Sequence, residues 1–290
     1  VVNLIAHHGV DPRSIVALTF TNKAALEMRE RLVHILGDNV TMPYVGTFHA
    51  YCLQLLRINR GMLDYPDFGI LDADDQSALI KSIVKRYGLE KQFPPSQLQS
   101  QISALKNAHA VGEIDPVGNK KLEELWHMYE QEKRAAHLFD FDDLLLEVLK
   151  LLKKNTVFKT RVQERIRHIV IDEYQDTNTI QEMILFLLAR EEKPNLCVVG
   201  DDDQALYRFR GATVENFVQF PERCEKYLGV APRRIELNTN YRSRERIVDF
   251  YTRFMEHEDW SVQGKRGKFY RVADKKIVAH SDDTGPSVVA

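Results

Sequence analysis

The stretch Ile169-Val170-Ile171-Asp172-Glu173-Tyr174-Gln175-Asp176-Thr177 decides how this chain is read. Three β-branched residues, Ile169 to Ile171, predict a strand buried on both faces. Two carboxylates follow where that strand ends. In an open parallel sheet, ligands bind beyond the carboxyl ends of the strands. Asp172 and Glu173 therefore belong at the crevice where such folds do chemistry. One acid suits Mg²⁺, directly or through water. Its neighbour suits orienting or deprotonating an attacking water. An isolated Asp-Glu pair is more often a solvated acidic turn. Here a helix signal follows, Thr179 with Glu182 three residues on, then an apolar face of Ile180, Ile184, Leu187 and Leu188. That continuation argues for a strand–loop–helix unit.

Working outward, Ser14 to Phe20 reads as a buried strand, and Thr21 and Asn22 offer helix caps. The next helix carries Ala25, Met28, Leu32 and Ile35 on one face and ends at Gly37. Pro43 to Thr47 reads as a second strand, entering a helix from Phe48 to Arg57. Alternating strands and helices predict a parallel sheet with crossover helices. From Asn59 to His137 strand signals vanish and three amphipathic helices are expected, opened by Asp72, Pro94-Pro95 and Asp115-Pro116. This span reads as an all-helical insertion, with Lys120, Lys121, Glu123 and Glu124 on solvated faces. Sheet signals return after Phe139-Asp140-Phe141-Asp142-Asp143, whose last two acids are read as structural. Strands are expected at His168–Ile171, Asn195–Val199 and Arg234–Leu237, and a helix from Arg244 to Met255.

Composition excludes some classes. The 290 residues are 44% hydrophobic and 28% charged, ordinary for a globular protein. No apolar run approaches membrane-spanning length. The net charge of −2 carries no sign of nucleic acid, so any anion-binding surface must come from local clustering. Cys52, Cys197 and Cys224 are odd in number and far apart, which argues against a disulfide framework and fits a reducing, cytoplasmic location. Each is expected as a buried thiol, Cys197 in Leu196-Cys-Val-Val199 most clearly.

Several further segments line up in order: Ala17-Leu-Thr-Phe-Thr-Asn-Lys-Ala-Ala25, Gly46-Thr-Phe-His-Ala50, Phe139-Asp-Phe-Asp-Asp-Leu144, Asp172-Glu-Tyr-Gln-Asp-Thr-Asn178, Val198-Val-Gly-Asp-Asp-Asp-Gln-Ala-Leu-Tyr-Arg-Phe-Arg-Gly-Ala212 and Leu237-Asn-Thr-Asn-Tyr-Arg-Ser243. With these the chain resembles the superfamily-1 DNA helicases of the UvrD/Rep/PcrA type, as far as about Phe254. The resemblance implies an α/β fold, a RecA-like P-loop NTPase parallel sheet with helices on both faces, interrupted by the helical insertion. Residues 1–58 and 138–240 would form the first motor domain, 59–137 the insertion, and 241–290 the start of a second motor domain. It implies an ATP-dependent helicase or translocase moving 3′ to 5′ on single-stranded DNA in repair or replication. ATP and Mg²⁺ would be required, and single-stranded DNA and single/double-strand junctions would be the partners.

Site roles follow from the same resemblance. Asp172 would hold the metal and Glu173 would activate water. Gln204, with both a donor and an acceptor, would sense the γ-phosphate. Arg242 would reach the γ-phosphate across a cleft and neutralise its charge. Phe20, Asn22, Thr47, Phe48, His49, Tyr207, Phe209 and Arg210 would line the DNA track. In Tyr207-Arg-Phe-Arg210 the aromatic–basic alternation suits rings stacking on bases and guanidiniums meeting phosphates. For His49 a satisfied core histidine is the competing reading.

There are also departures. No Gly-x-x-x-x-Gly-Lys-Ser/Thr run occurs in the 290 residues, and the resemblance expects that loop just before Val1. Neither of the family's last two motifs is found past Ser243. So read, the chain is an internal piece, expected not to hydrolyse ATP by itself. Rival readings are the helicase part of an AddA/RecB-type helicase–nuclease and a non-hydrolysing DNA-binding scaffold. Intact Asp172, Glu173, Gln204 and Arg242 argue against the scaffold.

Overall fold

The computed structural model describes residues 1–112, 119–191, 194–205, 214–257, 262–264, 267–269 and 275–280. After a short helix α1 (Val2–Ala6), strand β1 (Ile15–Thr19) is buried along its whole length. A strand without a polar face needs cover on both sides. Helix α2 (Asn22–Leu36) gives one side. The Thr21 hydroxyl accepts from the Ala24 N–H at its start, and Gly37 ends it at φ +85°. Strand β2 (Tyr44–Thr47) leads directly into α3 (Phe48–Ile58).

Between two short strands, β3 (Gly69–Ile70) and β4 (Leu138–Phe139), lie α4 (Ala73–Arg86), α5 (Pro95–Ala110) and α6 (Lys120–Ala135). The β3–β4 pair is parallel and closes the base of this helical unit. The unit has its own core, including Ile83, Leu98, Ile102, Leu125 and Tyr129. Then come α7 (Phe141–Lys154), α8 (Thr156–Arg165), β5 (His168–Ile171), α9 (Thr179–Leu188), β6 (Leu196–Val198), α10 (Val214–Val218) and α11 (Phe220–Leu228). Beyond them are β7 (Thr239–Asn240), α12 (Glu245–His257), the antiparallel pair β8 (Val262–Gly264) and β9 (Gly267–Phe269), and β10 (Val278–Ala279), parallel to β7.

Among the described residues the main sheet has four parallel strands in the order β2-β1-β5-β6. Residues of α3, α7 and α9 form the large core on one face with Leu18 and Ile169, while α2 packs with Ala17 and Val45 on the other. From β1 the chain first moves outward to β2, then returns to the far side for β5. The strand order therefore reverses between β1 and β5, the kind of switch point where such sheets bind ligands. Leu18 pairs with Ile171 there, so Thr19 and Asp172 leave adjacent strand ends.

Three expectations change. No strand forms over 234–237; Ile235 and Leu237 are 69% and 84% exposed. The strand lies further on, because β10 hydrogen-bonds only from Asn238 to Asn240: Val278 N–H donates to Asn238 O and His280 N–H to Asn240 O. Cys197 is exposed, unlike Cys52 and Cys224; it lies on β6, an edge strand among the described residues, outside the core clusters. Helix α9 is capped by Asn178, not Thr179, in a reciprocal capping box with Gln181. Among the described residues no helix is long and apolar enough to cross a membrane.

Candidate functional site

At the carboxyl end of β5, two backbone bonds fix the turn. Asp172 N–H donates to Leu18 O and Tyr174 N–H to Val199 O, each at 2.9 Å. Glu173 between them is left-handed, at φ 53° and ψ 45°. For a residue with a side chain this costs about 1–2 kcal/mol. It persists because its neighbours are pinned to adjoining strands, and such strain gathers at functional sites. The result is an exposed Glu173 carboxylate beside a half-buried Asp172.

Gln175 is 1% exposed and uses both ends of its amide. Its Nε2 donates to Glu173 Oε2 at 2.6 Å, and its Oε1 accepts from the Asp201 N–H at 3.0 Å. A carboxylate only accepts and an N–H only donates, so the amide has one workable orientation. Gly200 makes the approach possible: a Cβ there would lie 2.5 Å from Gln175 Oε1. Asp201 Oδ2 in turn accepts from Gln204 Nε2 at 2.8 Å. A continuous run thus joins Glu173, Gln175, Asp201 and Gln204. The sequence marked Gln175 only as part of a run; its bridging role needed the approach of 200–204 to the β5 turn.

Acid density sets the electrostatics. Burial, then the Glu173 charge, raises the Asp172 pKa above its ordinary value. The same two causes push Asp176 up to about 6. Among the described residues, Asp176 Oδ1 and Thr19 Oγ1 are buried without a hydrogen-bond partner. Hard oxygen donors with unused capacity fit Mg²⁺.

A stability prediction follows from Asp176. A carboxyl whose folded-state pKa is raised contributes stability below its unfolded value, and loses it as pH rises through the folded value. For Asp176 that window runs from 3.8 to about 6. Asp176→Asn stays neutral, so its urea midpoint relative to wild type should improve between about pH 4 and about pH 7. A pH-independent difference would refute the raised value.

The other expected residues are dispersed. Arg242 is exposed after β7, in a turn where Asn240 Oδ1 accepts from the Arg242 and Ser243 N–H groups at 2.9 and 2.8 Å. Phe20 is half-buried and Asn22 exposed. The Thr47 hydroxyl caps α3, accepting from Ala50 N–H. Phe48 is 5% exposed and packs within the core. It begins α3, whose first turn packs against the sheet. His49 stands edge-on to Phe141 at 6.1 Å; burial lowers its pKa, against Asp142. Tyr207, Phe209 and Arg210 lie outside the described residues.

The profile of the UvrD/REP helicase N-terminal domain matches residues 1–225. The chain belongs to this family. It is 36% identical over 263 residues to the ATP-dependent DNA helicase UvrD1 of Mycobacterium tuberculosis, covering 84% of this chain and 33% of that protein. To the ATP-dependent DNA helicase PcrA of Staphylococcus epidermidis it is 33% identical over 261 residues, covering 88% and 35%. To PcrA of Staphylococcus aureus it is 34% identical over 253 residues, covering 85% and 34%. The chain therefore spans about a third of the length of the curated relatives it matches. As a UvrD/REP N-terminal domain, it presents the β5 turn and the 200–204 loop as one hydrogen-bonded unit at the sheet's switch point.

Proposed function

We propose that the gene product is an ATP-dependent DNA helicase that moves 3′ to 5′ along single-stranded DNA and engages single/double-strand junctions. The observation that carries this reading is the run from Glu173 through Gln175 and Asp201 to Gln204, in a chain of a helicase family. ATP is the substrate. Asp172, which leaves β5 beside the end of β1, would hold Mg²⁺. When bound, the ion neutralises charge on the phosphate oxygens. Glu173 accepts the proton of the attacking water, and Gln175 holds its carboxylate. Gln204, tied to Asp201, reports the γ-phosphate to the segment that follows it. Arg242 adds positive charge at the transferred phosphoryl; such arginines contribute about 10³–10⁵ in rate. The deciding experiment measures DNA-stimulated phosphate release and strand separation by the complete gene product. No DNA-stimulated release would overturn the reading.

DNA contact is assigned to Tyr207, Phe209 and Arg210. Phe209→Ala should weaken single-strand binding by about 1–3 kcal/mol with little change in salt slope, because it removes stacking and no charge. Arg210→Ala should reduce the slope of log K against log salt by about 0.7, the value for one phosphate on a single strand. Fluorescence titration at several salt concentrations separates the two. A Phe209→Ala protein that loses stability and keeps its affinity would put the ring in the core.

A further inference from the structure

Lys275 lies outside every motif quoted above. Lys275 Nζ lies 2.7 Å from Asp201 Oδ1 and 3.2 Å from Asp203 Oδ2, and also bonds Asp202 Oδ1. Tyr251 of α12 donates to Asp203 Oδ2 at 2.7 Å. The Asp202 and Asp203 side chains are 2% and 1% exposed, and that of Lys275 15%. Burial opposes the ammonium charge, and the Asp201 and Asp202 carboxylates overcome it, raising the Lys275 pKa. Three carboxylates on successive residues repel one another, and more strongly as they leave water. Lys275 contributes a cation to this group. Asp201 is also the acceptor for Gln204, so its orientation decides that of Gln204.

Three residues further on, the same segment becomes β10 and pairs with β7. His280 N–H donates to Asn240 O, and its ring meets Tyr241 at 4.7 Å. Asn240 is the residue whose side chain builds the turn carrying Arg242. One short run, 275–280, is therefore tied at its start to the loop of Gln204 and at its end to the turn of Arg242.

We propose that 275–280 is a strap that holds the Gln204 loop in register with the Arg242 turn, with Lys275 as the positioning residue that fastens it. The functional part rests on the helicase reading. In that reading both ends face the same γ-phosphate, and loss of the strap lowers turnover by misplacing them rather than by removing a reacting group.

The test compares Lys275→Met, Lys275→Arg, and Lys275→Met combined with Asp202→Asn, in the complete gene product. Lys275→Met should lower kcat for DNA-stimulated ATP turnover by about tenfold, in the range of small positional errors. Lys275→Arg should recover most of that loss. The double variant should recover part of it, since removing one carboxylate offsets the missing cation. An unchanged kcat in Lys275→Met would overturn the proposal. So would a loss that neither partner variant recovers, which is the behaviour of a packing defect. If the wild-type protein releases no phosphate, the helicase reading fails and the strap is read separately. Urea unfolding of the complete gene product then gives the double-mutant cycle of Lys275→Met and Asp202→Asn. Additive effects would overturn the fastening itself.

Discussion

Replacing Glu173 by Gln should sharply lower ATP turnover in the proposed helicase and leave Mg²⁺–ATP binding intact. The substitution is close to isosteric. Its amide oxygen still accepts from Gln175 Nε2, so the bridge to Asp201 survives. The left-handed backbone is also kept, because it is set by Asp172 N–H on Leu18 O and Tyr174 N–H on Val199 O. What disappears is the basic oxygen. A positioned general base contributes about 10²–10⁴-fold, so kcat should fall by that factor. Asp172→Asn should behave differently. It should weaken the metal-dependent part of nucleotide binding, because an amide is a poorer ligand than a carboxylate for a hard cation. Equilibrium binding with and without Mg²⁺, beside single-turnover phosphate release, separates the two roles. Equal release by wild type and Glu173→Gln would remove Glu173 as the base.

The second large effect is on stability. Lys106 Nζ sits 2.7 Å from both oxygens of Asp140 and 2.7 Å from Asp143 Oδ1. Lys133 Nζ lies 3.1 Å from Asp140 Oδ2, 2.6 Å from Asp143 Oδ2 and 2.7 Å from Glu130 Oε1. Tyr129 OH donates to Asp140 Oδ2 at 2.8 Å. Lys106, Lys133 and Asp140 are 3%, 1% and 0% exposed. The cluster joins α5 and α6 to the first turn of α7, where Asp140 and Asp143 also form a capping box. Burial works against the Asp140 charge, but the two ammoniums win and hold its pKa below the ordinary range. Asp140→Ala leaves two buried ammoniums with less counter-charge and removes the cap. It should destabilise the protein by about 3–5 kcal/mol, the usual result of breaking a buried pair from one side. Urea denaturation measures it, and hydrogen exchange should show α5 and α6 opening first. A loss under about 1 kcal/mol, as for a surface pair, would show that the cluster does not fasten the insertion.

That cluster left a trace in the sequence. Leu122, Leu125, Tyr129 and Lys133 follow helical spacing and share one buried face, so a lysine stands where the stripe calls for an apolar residue. Lys106 stands likewise four residues after Ile102. A charge on an apolar face is a pairing signal, because an ion is not buried alone. Its partners, 34 and 7 residues away at Asp140, cannot be read from periodicity.

Local pattern by itself determined a good deal. The apolar run Ile15–Leu18 of β1, the β-branched residues of β5 and the helix caps at Thr21 and Asp72 are short-range facts. The ordered motifs placed the chain in its family. Tertiary structure decided what depends on two distant segments meeting. Phe48 looks inward because α3 lies on the sheet. Cys197 looks outward because, among the described residues, no core cluster covers its side of β6. Gln175 became a bridge because Gly200 admits its oxygen. Lys275 found Asp201 across 74 residues of chain. Hydrophobic period reports which face of an element is buried, but not which element covers it. Pairings of that length are settled only when the whole fold closes.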